Sequence, residues 1–238
     1  MATLARRVAL SGERRFYLGI AAAMFVLIIM GFGPTYYFRP VTGSTPPLPM
    51  TPLVHVHGIL FTAWLALFVS QAVLVSGRRL DIHRRMGPLA LALVIAMMAV
   101  GTLSALYGVH RASGPPGIPP LSFVAVPLLA VPAFGGLILA ALHFRKSPAT
   151  HKRLMVMAMV TMLGAASGRL VPGMLGFIGV PALFVLVMIA RDLATLRRVH
   201  KATAWGGAVA VTSLVLPVLI WSSGPWLAFA RWASGLVA

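Results

Sequence analysis

The chain has 238 residues, 59 % of them hydrophobic and only 10 % charged, and 20 Lys and Arg against 3 Asp and Glu leave a formal charge of +17. A soluble domain is about half apolar and carries about 25 % charged residues, so this composition excludes an ordinary soluble domain, and the absence of cysteine excludes disulfides and thiolate metal sites. In a soluble protein such a charge would point to nucleic acid, but here the basic residues sit at short loops between apolar runs, so no nucleic-acid partner is expected.

The apolar runs are continuous rather than alternating, which predicts helices. Lipid admits only helices or closed barrels, and a helix needs roughly 20 apolar residues to cross. The expected fold is therefore all-α, a polytopic transmembrane helical bundle of about seven spans. Residues 1–15 form a basic cytoplasmic segment carrying Arg6, Arg7, Arg14 and Arg15. The run that follows, 16–38, is too long for a signal peptide and no small-residue cleavage site comes after it, so it reads as a retained first span. The remaining spans are expected at 53–76, 88–109, 121–143, 152–171, 177–196 and 202–221. Residues 16–238 thus make a single bundle, with a four-helix core over about 53–171.

Between these spans the basic residues alternate. Arg78, Arg79, Arg84 and Arg85 fill the second loop, Arg145, Lys146, Lys152 and Arg153 the fourth, and Arg191, Arg197, Arg198 and Lys201 the sixth. With the N-terminal arginines these hold 16 of the 20 basic residues, and Arg39, Arg111, Arg169 and Arg231 lie on the other side. Cytoplasmic loops carry the positive charge, so the N-terminus is expected inside, the C-terminus outside, and the location is a bacterial inner membrane. The basic side is also expected to attract anionic lipid head groups. The outer loops "RPVTGSTPPLPMTP" and "HRASGPPGIPP" are rich in proline and glycine, hence turns without helix.

Two spans carry patterned faces. In the second, His57, Phe61, Trp64, Phe68 and Gln71 follow at steps of four and three, which places them on one side of a helix. Polar groups avoid lipid, so this face should meet protein. In the fifth, His151, Met155, Met159, Met162, Ala166 and Arg169 form a second stripe. Thioethers beside histidine suit copper(I), although methionine is also ordinary core filler. The seven histidines fall into two layers. His55, His57 and His110 belong to the outer end, and His83, His143, His151 and His200 to the inner end. Neutral imidazole is the commonest metal ligand, which makes the inner four candidate metal ligands. Each of them singly has a plain interfacial reading.

Three stretches carry a resemblance. "VHGILFTAWLALFVSQAVLVSGRR", "IHRRMGPLALALVIAMMAVGTLSALYGVH" and "FRKSPATHKRLMVMAMVTMLGAASGR" resemble the second, third and fifth spans of the ascorbate-reducible transmembrane b-type cytochromes. Their HRRxG and HKRLM elements are also similar to those of a group of uncharacterised bacterial membrane proteins. The resemblance covers residues 54–169. It implies a membrane-embedded electron-transfer protein or reductase binding haem b, with His83 and His151 as axial ligands of an inner haem and with a redox partner or complex subunits. Arg84, Arg85, Lys152 and Arg153 flank the two histidines, so haem propionates would have partners there. It also implies that His57 holds an outer haem. The fourth span lacks the family's histidine, so His110 is the substitute at that height, and a seventh span is extra to the six-span family. His83 has a competing reading: Gly87-Pro88 could start the third span after it, leaving it a loop residue outside the haem pairing, with Asp81 either orienting it or paired with Arg79.

Two other functions compete. Seven spans with an inside N-terminus resemble the receptor and ceramidase group of intramembrane zinc hydrolases. Asp81, His83, His143, His151, Asp192 and His200 could supply three ligands and leave a fourth position open for water, although "HKATAWGG" offers His200 alone where that group has paired histidines. A non-enzymatic subunit, transporter or assembly factor is the third. Pro127, Pro132, Gly135 and Gly136 could break the fourth span near mid-membrane, as in transporters, or could serve close packing through small residues.

Overall fold

The computed structural model describes residues 2–43 and 49–237, with side chains from residue 12 onward. The expected contribution of the Arg6 and Arg7 side chains and part of the first outer loop, residues 44–48, lie outside the described residues.

Among the described residues the chain is helical and contains no strand. The long helices are α1 (Ala2–Phe32), α3 (Pro52–Ser76), α5 (Gly87–His110), α7 (Ala125–His143), α8 (Pro148–Leu170), α9 (Val180–Leu196) and α10 (Lys201–Ile220). Four short helices lie between or after them: α2 (Arg39–Thr42), α4 (Leu80–Arg85), α6 (Pro120–Phe123) and α11 (Gly224–Gly235). Proline stands in the first turn of α3, α5, α8 and α9, where its missing N–H has no helical partner to lose. α1 and α9 are joined to their neighbouring segments by single π-turns at Gly33–Tyr37 and Leu175–Gly179.

Six of these helices are long and apolar enough to cross a membrane, which makes this a multi-pass membrane protein by length and composition. Their outer faces are greasy: Leu219 is 73 % exposed and Ile59 63 %. The helix outside that set is α8, and its position explains its composition. Leu154, Met157, Met159, Leu163, Ala166 and Ser167 on it are all essentially buried. A helix surrounded by other helices is selected for close packing rather than for lipid, so it carries Gly, Ala, Ser and Thr where its neighbours carry Leu and Ile.

Side-chain contacts fix the direction of each helix. α1 and α8 run parallel: Lys152 meets Glu13 and the Tyr17 ring at one end, and Ala166 meets Gly31 and Arg169 the Phe32 ring at the other. α9 runs against α8, since Asp192 meets Arg153 and Phe177 meets Gly164. α10 runs against α9, with Thr203 on Asp192 and Gly207 on Val185. α7 runs against α5, with Val131 on Gly101 and Gly135 on Met98. The bundle therefore alternates up and down, and its basic loops gather at one end, called here the basic end.

The glycines at these contacts are steric requirements. A Cβ on Gly31 would stand 2.5 Å from the Ala166 carbonyl oxygen and 2.8 Å from its carbon. Backbone cannot swing away as a side chain can, so α1 and α8 would have to part. Gly31→Val should cost about 1–3 kcal/mol by overpacking. Gly19→Ala, at a position with nothing within 4 Å, should cost nothing. Thermal melts of both variants in one detergent check this, and equal melting points would remove the close-contact account.

Of the two readings of the fourth span, close packing holds and the mid-membrane break is not there. α7 is continuous from Ala125 to His143 with Pro132 inside it, and the only interruption is the join to α6 at Val124. Gly135 serves close packing, since a Cβ there would stand 2.2 Å from the Met98 sulfur. The first outer loop departs in the other direction, because Arg39–Thr42 forms a short helix where turns alone were expected. Sequence periodicity also missed α11. Trp226 donates from its indole to Leu121 O at 2.9 Å and the Ser223 hydroxyl caps the first turn, so α11 folds over the end opposite the basic loops. Phe229, Trp232 and Leu236 remain exposed on it, as suits aromatic side chains at a membrane interface.

Candidate functional site at the basic end

The peptide LDIHRR forms α4, a helix of its own between α3 and α5. Asp81 in its first turn and His83, Arg84 and Arg85 in its last complement the helix dipole. The Arg79–Asp81 pair, 3.6 Å apart and more than half exposed on both sides, adds little to stability. His83 thus precedes the third span, as the competing reading expected. It is nevertheless not a free loop residue. Its imidazole is half-buried, and the Gln71 side chain at the end of α3 donates to its carbonyl at 3.4 Å.

His151 arrives from the other side. The tight turn Phe144–Lys146 reverses the chain after α7, and His151 falls in the first turn of α8. Its Nδ1 lies 2.7 Å from Ala141 O in the last turn of α7. A carbonyl only accepts, so Nδ1 carries the proton and Nε2 is left as the ligating nitrogen. Metal-bound histidines commonly have this carbonyl partner.

The two rings stand edge to face, with centroids 6.4 Å apart and planes at 81°. Two imidazole nitrogens sharing one metal ion at about 2 Å each place their ring centres about 6 Å apart. His83 Nδ1 is buried without a hydrogen-bond partner, and so is Gln71 Oε1 beside it. Buried polar atoms of this kind ordinarily mark a missing water, ion or ligand. Burial first, then the charge of His151 and Arg84, holds the His83 imidazole below its ordinary 6.5, so it is neutral and able to ligate at pH 7. Two imidazole nitrogens are the donor type that a low-spin haem iron takes.

The other expected site residues lie elsewhere. Arg84 is exposed on α4 next to the pair, where it could meet a propionate. Arg153 is turned away and cannot do so. It is 4 % exposed, its Nε and Nη2 both donate to Asp192 Oδ1, and its Nη1 donates to Ala149 O. Asp192 Oδ2 accepts from the Thr203 hydroxyl and from the His200 backbone N–H. This buried knot ties α8, α9 and α10 together, and it uses the aspartate that sequence reasoning offered to zinc. His143 is exposed, edge-on to Phe144. His200 caps α10, its Nδ1 accepting from Ala202 N–H at 3.1 Å. The four inner histidines therefore divide into one adjacent pair and two separate residues. Among the described residues no group of three or more His, Asp or Glu side chains could hold a metal ion, so the three-ligand zinc centre is not assembled.

The outer pair is not assembled either. His110 is exposed at the end of α5, and its Nε2 donates to Ser234 O of α11 at 2.8 Å. His57 lies inside α3 stacked on Phe61, with centroids 4.0 Å apart. Met159 of the fifth-span stripe is packing: its sulfur accepts the Trp64 indole N–H at 3.1 Å.

No known protein family, curated protein or solved structure matches this chain.

The His200 cap carries a pH signature. Burial, then the Arg153 charge, holds His200 below its ordinary 6.5. Only neutral imidazole accepts the Ala202 proton. A group whose folded value is depressed in this way binds fewer protons folded than unfolded, so its contribution is complete above about pH 6.5 and is lost as the pH falls below it. Asn is an equally good cap that does not titrate. The melting temperature of His200→Asn should therefore fall less between pH 7 and pH 5 than that of the native protein, and parallel curves would rule the cap out.

Proposed function

We propose that this is a seven-span bacterial inner-membrane protein that binds haem b at its cytoplasmic end between His83 and His151 and serves in electron transfer. The observation that carries the reading is the imidazole pair, 6.4 Å apart, brought together from α4 and the first turn of α8. Two axial imidazoles give haem a low-spin centre suited to moving single electrons. The residues around it do the rest. Ala141 O orients His151, Gln71 holds the α4 backbone at His83, and Arg84 and Arg85 supply exposed positive charge for propionates or for an acidic redox partner. The deciding measurement is a reduced-minus-oxidised spectrum of protein purified from cells supplied with haem. An α band and a shifted Soret band are expected, and neither appearing would end the haem reading.

Topology supports the same reading. We take α8 as the seventh crossing, because it is parallel to α1 along its length, and the basic end as cytoplasmic, because positive loops stay inside. The chain has no cysteine, so single cysteines give a clean test. On intact cells a membrane-impermeant maleimide should label Ser113→Cys and Met174→Cys but not Ser147→Cys. Labelling of Ser147→Cys alone would invert the orientation, and labelling of Ser113→Cys with neither Ser147→Cys nor Met174→Cys labelled would show that α8 does not cross.

A further inference from the structure

All three acidic side chains of the chain are already paired: Glu13 with Lys152, Asp81 with Arg79 and Asp192 with Arg153. The other described cations at the basic end therefore have no carboxylate partner within the chain. Several of them, such as Arg78, Arg197 and Arg198, stand on the turns between helices. Arg15 and Arg191 stand on long helices, at the membrane-facing surface. On α1, Arg15, Gly19, Ala22, Val26 and Met30 are all exposed, and steps of four, three, four and four make them one face of the helix. On α9, Leu183, Val187 and Arg191 follow at steps of four, the first two exposed and the arginine half-buried. Each stripe is apolar along the span and ends in an arginine at the basic end. The two ends meet: the Arg191 guanidinium lies over the ring of Phe16, the residue after Arg15, 5.1 Å from its centroid.

We infer that this α1–α9 corner is a binding site for an anionic phospholipid, with Arg15 and Arg191 on its phosphate and its chains along the two stripes. Where the cations stand implies a lipid rather than a soluble acidic partner. The exposed face leading to each of them is apolar, so hydrocarbon surrounds the helices up to the level of the arginines, and there hydrocarbon gives way to head groups. An arginine at this level lays its stem on apolar surface and keeps its guanidinium among the phosphates. The guanidinium fork meets phosphate oxygens through two N–H donors, where an ammonium offers only a point charge. The Phe16 ring holds one of the two guanidinium groups in place before lipid arrives, so less rotamer freedom is lost on binding. Asp192, next to Arg191 in sequence, does not neutralise it, because its two oxygens are taken by Arg153, Thr203 and the His200 N–H. The site stands independently of haem binding.

The test is a titration of the full-length protein, stripped of lipid in neutral detergent, with phosphatidylglycerol and in parallel with phosphatidylcholine, the bound lipids being counted by native mass spectrometry. One phosphatidylglycerol is expected to bind ahead of the rest and ahead of any phosphatidylcholine. Arg15→Gln and Arg191→Gln should each weaken that first binding about fivefold, and Arg191→Lys, which keeps the charge but not the fork, should fall between Arg191→Gln and the native protein. Arg231→Gln removes the same charge from an exposed position at the opposite end and should bind as the native protein does. Neither Arg15 nor Arg191 belongs to an ion pair, so the melting temperatures of the lipid-free variants should stay close to native, and lost binding is then not lost folding. Equal binding of the two lipids, native binding by the Arg15→Gln/Arg191→Gln double variant, or an equal loss in Arg231→Gln overturns the inference. Displacement of the first lipid by an equal concentration of glycerol phosphate would assign the two arginines to a soluble phosphate and overturn it as well.

Discussion

Replacing His151 by alanine is expected to abolish the low-spin haem spectrum, and His83→Ala should do the same. In the proposed haem site each ring would supply one nitrogen to the iron, and neither has a substitute nearby, since His143 is exposed against Phe144 and His200 is held as a cap. Changing a residue that merely supports a metal ligand typically costs 10–100-fold in affinity, so losing a ligand should cost about a hundredfold or more. Haem titration of the apoproteins measures this directly. His143→Ala and His200→Asn should retain native affinity and spectrum, and a spectrum lost in all four variants would make the pairing of His83 with His151 untenable. The dependence on pH has a defined sign. Burial and the neighbouring cations keep His83 below its ordinary 6.5, so ligation should persist at pH 6.5 and fail only on further acidification, when the ring gains a proton and can no longer bind.

Asp192→Leu should be the most destabilising single change in the protein. It strands the Arg153 guanidinium, 4 % exposed, without its counter-ion, and it removes the acceptor of the Thr203 hydroxyl and the His200 N–H. Breaking a buried pair from one side costs about 3–5 kcal/mol. The double variant Arg153→Met/Asp192→Leu should recover much of that loss, because a matched apolar replacement leaves no uncompensated charge. Thermal melts of the native, single and double variants form the comparison. A double variant no more stable than Asp192→Leu would mean that the knot holds α8, α9 and α10 by more than charge. Since α8 also carries His151, two residues before Arg153, loosening the knot should also weaken the proposed haem binding with neither histidine changed.

Much of the architecture can be read without coordinates. The long apolar runs set where helices form, because a backbone in lipid must satisfy its own hydrogen bonds. Six of the expected spans correspond to helices apolar enough to cross, with ends shifted by a few residues. The alternation of basic loops anticipated the gathering of charge at one end. The stripe on the second span was equally legible: Trp64 and Phe68 are buried, while Ile59, Ala63 and Ser70 on the other faces are exposed. Period and charge are local properties, and a helix expresses them wherever it is packed.

What tertiary structure alone decided is which distant residues meet. Spacing alone put four histidines at the inner end and the resemblance singled out His83 and His151; packing is what brings those two rings together and leaves His143 and His200 apart. Arg153 and Asp192 are 39 residues apart. Each had a different partner in sequence reasoning, haem propionate for one and zinc for the other, until the antiparallel packing of α8 on α9 joined them. The signal for that knot was present but unspecific: an aspartate near the end of an apolar run demands a partner, and any of the 20 Lys and Arg could have answered on charge alone. Likewise nothing in the composition of α11 said that it would fold back to take the His110 proton. Periodicity fixes which face of a helix turns inward. Only the mutual rotation and register of neighbouring helices, set by contacts such as Gly31 on Ala166, fix what that face finds there.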